Sequence, residues 1–302
     1  MSDQMIKNQA ETFAREQRAF DAAKNKYHAA LKKFKAFAPQ DQLSYPPLQR
    51  TAYSDRTAWI MAVMAKLAYI PFEEGEDKLA HLEYNLKSGG FSLINVFSQE
   101  STQAFLAKND SFAVLAFRGT EPKKISDVMA DIRVYKKTTK EGRVHAGFHG
   151  AYQDVAEQVE KSLIKQEWPL YITGHSLGGA LATVATQDLD QKYRDLISAC
   201  YTFGSPRVGN RKFERSVKAP FYRLVNSTDI VTLVPNIGYA HIGDTRYLGR
   251  NRELYLYFPF FRRLWEVLQA LVIPIHWGRW IACHSMDEYI HKLEDYALKR
   301  NK

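Results

Sequence analysis

Ser176 lies in Gly174-His175-Ser176-Leu177-Gly178-Gly179, between the apolar run 170–173 and an Ala-rich run that starts at Ala180. A serine hydroxyl is a poor nucleophile near neutral pH. It needs a base to take its proton and donors to hold the oxyanion that forms. A sharp turn from strand to helix lifts a side chain above the edge of a sheet, within reach of both. Such a turn strains the backbone and packs it tightly, so its flanking positions favour glycine. That is the physical content of G-x-S-x-G, and Gly174, Ser176 and Gly178 fit it. A plain helix N-cap at Ser176 would use the same residue type. The strand before it and the helix after it are what favour a nucleophile.

The surrounding pattern supplies both elements. "LYITG" (170–174) reads as a short buried strand, and 177–192 as a helix. "SDRTAWIMAVMAKLAYI" (54–70) reads as a helix with Ser54 as its cap. "FSLINVFS" (91–98) and "TQAFLAKN" (102–109) form an expected hairpin, and "SFAVLAFRG" (111–119) an expected buried strand. An amphipathic helix is expected over 147–166, with further strands over 196–206 and 220–229. Buried strands alternating with helices predict a mostly parallel sheet covered on both faces.

The chain has 302 residues, 45% apolar and 25% charged, which suits one large α/β domain with a sizeable core. Lys and Arg number 42 against 33 Asp and Glu, so the formal charge is +9. That balance favours anionic surfaces such as phospholipid headgroups, and it equally serves solubility. No zinc finger or other nucleic-acid motif is present, so no nucleic-acid partner is expected. No metal is expected either, since no HExxH or comparable ligand cluster appears, and no cofactor is implied. Cys200 and Cys283 stand outside any CxxC pair, and Cys200 reads as a core residue. The polar start, MSDQMIKNQAETFAREQ, lacks an apolar signal core. The expectation is a cytoplasmic protein, or one exported without a cleaved Sec signal.

Two segments stand apart from this pattern. Residues 5–37 contain no Gly or Pro and carry Phe13, Phe20, Tyr27 and Phe34 every seventh residue, which predicts one long helix. It either packs on the main body or binds a membrane surface or a protein partner. Residues 254–283 are apolar and aromatic, but Arg262, Arg263, Glu266, Gln269, His276 and Arg279 interrupt them. The uninterrupted runs are too short for a transmembrane helix. A helix near 261–272 ending before Pro274 is expected, as a cover over the site at a bilayer interface or as a buried cap.

Several blocks in order resemble the class 3 lipase family, the fungal-lipase-like α/β-hydrolases: "VLAFRGTEP" (114–122), "VHAGFHGAY" (144–152), "ITGHSLGGALA" (172–182), "YTFGSPRVGN" (201–210) and "LVNSTDIVTLVP" (224–235). They cover about 110–245, and "HSMDEYI" (284–290) adds a last block. The resemblance implies an α/β-hydrolase fold; residues 1–50 and 250–283 have no counterpart in it, and the expected division is an N-terminal helical extension over 1–49, from its apolar periodicity, and a hydrolase domain over 50–302. The resemblance also implies a triad in the order Ser…Asp…His. Ser176 is then the nucleophile, Asp229 the acid that orients the base, and His284 the base, with His241 as the other candidate. His145 and His149 precede the serine, and His175 should point away from the site. The oxyanion hole would use the backbone N–H groups of Leu177 and Thr120, whose hydroxyl can also donate. Family members often carry a lid after the "RGT" block, here 121–135, where Ile125, Val128, Met129 and Ile132 share one helical face.

The activity this implies is ester hydrolysis on acylglycerols or phospholipids at a membrane or micelle surface. The alternatives are a membrane-targeting lipolytic effector controlled by a partner of its N-terminal helix, and a hydrolase-fold protein that binds lipid without turnover.

Overall fold

A strand between two helical layers must be apolar on both sides. β3 (Ala113–Phe117), β6 (Leu170–His175), β7 (Ile197–Phe203) and β8 (Phe221–Asn226) meet that condition, with every residue buried. Flanking them are β1 (Ser92–Gln99), β2 (Thr102–Lys108), β9 (Asp244–Leu248) and β10 (Leu254–Tyr255). The computed structural model describes residues 52–120, 135–164, 168–193, 196–227, 229–249, 254–255 and 283–299, within the compact unit Tyr45–Lys302. Among these residues the sheet has eight strands in the order β1-β2-β3-β6-β7-β8-β9-β10. Pairing is parallel from β3 through β6, β7 and β8 to β9. It is antiparallel at both ends. This is the expected mostly parallel sheet. The expected helix at 5–37, the lid segment 121–135 apart from Tyr135, and 254–283 apart from its ends lie outside the described residues.

Alternation along the strands assigns the helices to faces. Leu115, Phe117, Leu170 and Ile172 share a core with α3 (Ala146–Leu163) and α4 (Leu177–Lys192). Thr173 points the other way and donates to the Met61 carbonyl of α1 (Asp55–Leu67) at 3.1 Å. α1 packs on that face together with α6 (Met286–Lys299). Ser54 caps α1 as expected, its hydroxyl accepting from the Thr57 N–H at 3.4 Å. Nearly every residue of α1 from Thr57 to Leu67 is buried, because the helix lies between the sheet and α6. Each of its fully buried large apolar side chains contributes about 1.5–3 kcal/mol relative to exposure.

Some elements were not legible in the sequence. α2 (Glu76–Ser88) buries only Leu82, Asn85 and Leu86, so its apolar stripe is too thin to read. The hairpin of β4 (Lys136–Thr139) and β5 (Gly142–His145) is largely polar. α5 (Arg211–Ser216) has six residues. The strand expected over 196–206 stops at Phe203, where Gly204 turns the chain at φ +58°.

Candidate active site

Ser176 joins β6 to α4 with φ 57° and ψ −128°, a conformation a serine adopts only under tertiary constraint. The glycines on either side supply room. A Cβ on Gly174 would overlap the Gly178 carbonyl, and one on Gly178 would overlap the Phe117 carbonyl. The elbow is therefore pressed against itself and against the end of β3. The Ser176 N–H donates to the Phe203 carbonyl of β7 at 2.9 Å, which fixes the turn from its other side. Leu177 is the first residue of α4, and a helix leaves its first N–H groups without intrahelical acceptors. These donors and the positive end of the helix dipole suit a developing anion. Phe117 pairs in register with Gly174, so Arg118, Gly119 and Thr120 run beside the elbow.

Asp229 follows β8 and opens a short 3-10 turn, Ile230–Leu233. Its carboxylate accepts from the Val231 N–H at 3.1 Å, and Oδ1 and Oδ2 each lie 2.9 Å from His284 Nδ1. Both residues are buried, Asp229 at 2% and His284 at 4% exposure. A carboxylate only accepts, so Nδ1 carries the hydrogen, and the tautomer this selects has its lone pair at Nε2. Nε2 is buried with no hydrogen-bond partner among the described residues. Gly204 lies directly beside this pair. A Cβ there would stand 2.5 Å from Asp229 Oδ2 and 2.9 Å from the His284 ring. The loop after β7 thus lies against this pair at the carboxyl edge of the sheet, where Ser176 also sits.

Three residues of this site carry no chemical signature in the sequence. Tyr289 donates to Asp229 Oδ2 at 2.7 Å and accepts from the Asn226 N–H at 2.9 Å. Burial, and then the Asp229 carboxylate, push the Tyr289 pKa well above its usual value, so the phenol stays a donor. The Asn226 amide donates to the Cys283 carbonyl at 2.8 Å and accepts from Lys292 Nζ at 2.6 Å. Both Tyr289 and Asn226 fall inside blocks that resemble the family, but a tyrosine in a helix and an asparagine ending a strand have ordinary structural uses.

The other histidines considered from the sequence have different partners. His145 caps α3, accepting from the Phe148 N–H at 3.3 Å. His149 lies on α3, and burial followed by Lys137 holds its pKa below the usual value. His241 lines a small cavity with Ser205, Pro206 and Arg207. His175 differs from expectation. Its ring leaves Ser176 but stacks 4.5 Å from the His284 ring, centroid to centroid.

Arg118 ties the loop after β3 to the end of α1. It donates to the Ala68 and Ile70 carbonyls at 2.7 and 2.6 Å and pairs with Glu73. Burial opposes charge on Glu73, yet hydrogen bonds from Arg118 hold its pKa below the usual carboxylate range. Among the described residues no group of three or more His, Cys, Asp or Glu is placed to hold a metal.

A parallel sheet with helices on both faces, a strained serine at a strand–helix elbow and a buried His–Asp pair on the same edge define the α/β-hydrolase fold and its site. Residues 114–239 match the family model described as lipase (class 3), so the resemblance read from the sequence holds over that core. A lipase of Rhizopus niveus is 37% identical over 144 residues, covering 43% of this chain and 36% of the relative. Phospholipase A1-II 1 of rice (Oryza sativa subsp. indica) is 36% identical over 124 residues, covering 39% of this chain and 30% of the relative. The chain thus spans about a third of the length of each. The solved structure of lipase II from Rhizopus niveus superposes with a TM-score of 0.56 at 26% identity, over 70% of this chain and 82% of that one.

Proposed function

We propose that the chain is a serine carboxyl-ester hydrolase acting on lipid esters, acylglycerols or phospholipids, through Ser176, His284 and Asp229. The observation that carries this reading is the His284 ring held on Asp229 with Nε2 bare, beside the strained serine elbow. Nε2 takes the Ser176 proton as Oγ attacks the ester carbonyl. Asp229 stabilises the imidazolium that results. The N–H groups of Leu177 and Thr120 hold the oxyanion. The imidazolium then gives its proton to the leaving alcohol, and water repeats the sequence on the acyl-enzyme. The names of the relatives, lipases and a phospholipase A1, support lipid esters as the substrate class. The proposed partner is a lipid surface.

A fluorophosphonate should label Ser176 and stop hydrolysis of a short-chain ester, and Ser176→Ala should remove both. A mass-spectrometric screen across acylglycerols and phospholipids names the substrate. Labelling or turnover that survives Ser176→Ala would refute the assignment.

A further inference from the structure

Taking His284 as the base, we propose that His175 and Tyr69 are positioning residues that hold the base through its own backbone. His175 is 2% exposed, and both of its ring nitrogens are engaged. Nε2 lies 2.7 Å from the His284 carbonyl oxygen. A carbonyl only accepts, so Nε2 carries the hydrogen. Nδ1 lies 2.8 Å from the Tyr69 hydroxyl. In a neutral ring Nδ1 is then the acceptor, and Tyr69 donates to it. Burial, and next the adjacent His284, hold the His175 pKa well below its usual value, so the ring is neutral. Tyr69 thereby selects the tautomer that grips His284.

The grip falls on a carbonyl just before the ladder of α6. The ladder of α6 begins at Ser285, whose carbonyl accepts from Glu288 and Tyr289 N–H groups at 3.1 and 3.4 Å. The His284 carbonyl lies one residue before it. The preceding carbonyl, of Cys283, is held by the Asn226 amide at 2.8 Å. The two peptide groups that flank the His284 Cα are thus pinned from two strands, β8 and β6, and the side chain is aimed by both. The same chain of contacts reaches the third catalytic loop. A Cβ on Gly119 would overlap both the Tyr69 hydroxyl and the His175 carbonyl. One tyrosine and one histidine therefore register the loop proposed for the oxyanion, the nucleophile elbow and the base. A neutral His175 matters electrostatically too. Its ring lies 4.5 Å from one that becomes imidazolium in every turnover, and a second positive charge there would oppose that step.

The test compares His175→Leu, His175→Asn and Tyr69→Phe with the parent. A misplaced base costs on the order of 10²-fold in rate. His175→Leu should therefore lower kcat by about 10²-fold with KM little changed. His175→Asn, whose amide can still donate to the carbonyl, should recover about tenfold of that, and Tyr69→Phe should lose less than His175→Leu. The strongly downfield proton of the His284 Nδ1–H···Asp229 bond, read by NMR, should broaden or vanish in His175→Leu while the melting transition stays cooperative. That signal needs no turnover, so it decides the positioning role even if the parent hydrolyses no ester, an outcome that would defeat the proposed function alone. Full kcat and an unchanged downfield proton in His175→Leu would overturn the proposal. Should that variant fail to fold, the same two results in both Tyr69→Phe and His175→Asn would overturn it.

Discussion

Tyr289 holds the Asp229 carboxylate by a single hydroxyl, and that hydroxyl is used twice. Tyr289→Phe removes a donor from Asp229 and leaves the buried Asn226 N–H without its acceptor. An unsatisfied buried group costs about 1–3 kcal/mol, so the melting temperature should drop measurably. Asp229 would keep His284 and the Val231 N–H, so kcat should fall by only about tenfold, with KM nearly constant. Steady-state kinetics beside thermal denaturation checks both, and an unchanged kcat would remove the orienting role. The contrast between Ser176 and Tyr289 explains what the sequence can and cannot reveal at this scale. Ser176 is legible because its chemistry demands a local turn with glycines at fixed offsets. Tyr289, Asn226 and His175 act through partners 60, 57 and 109 residues distant along the chain, and no local pattern encodes such a meeting.

Among the elements, the parallel strands β3, β6, β7 and β8 were legible because burial on both faces leaves a continuous apolar run, whereas β9, polar and only partly buried, was not. The helix α2 and the hairpin β4–β5 were not, because each is largely polar and rests on the body through few side chains. The loop after β7 shows how an element end serves the site. Gly204 combines a positive φ with a wall of Asp229 and His284 atoms where a Cβ would go. Gly204→Ala should displace the His284–Asp229 pair and lower kcat by about 10²-fold or more. Gly90→Ala makes the control. Gly90 also has a positive φ, +78°, but a Cβ there meets nothing within 4 Å. That change should cost about 1 kcal/mol of stability, the strain of a left-handed residue, and leave activity intact. Equal activity in the two variants would show that the close approach at Gly204 is unimportant.

At the scale of the molecule, the formal charge of +9 bears on the proposed lipid surface. Screening shortens from about 10 Å at 0.1 M salt to about 3 Å at 1 M. Binding to vesicles rich in anionic phospholipid should weaken severalfold over that range, as measured by sedimentation. Binding to zwitterionic vesicles and hydrolysis of a soluble ester should change little. Salt-independent binding to the anionic vesicles would mean that apolar contact dominates. The packing of α1 on α6 bears on how the molecule comes into being. A chain grows from its amino end, and domains tend to fold in that direction during synthesis. Here the first described helix leans on the last, with Lys66 paired to Asp287 at 3.1 Å across them. A nascent chain can lay down β3, β6, β7 and β8, and with them the serine and the aspartate, while α1 still lacks its neighbour. The proposed base, His284, enters at the foot of α6, so the event that shelters α1 also brings the imidazole to the elbow. A nascent chain that lacks α6 carries the elbow without His284, and on the proposed mechanism the triad is complete only once that helix has docked.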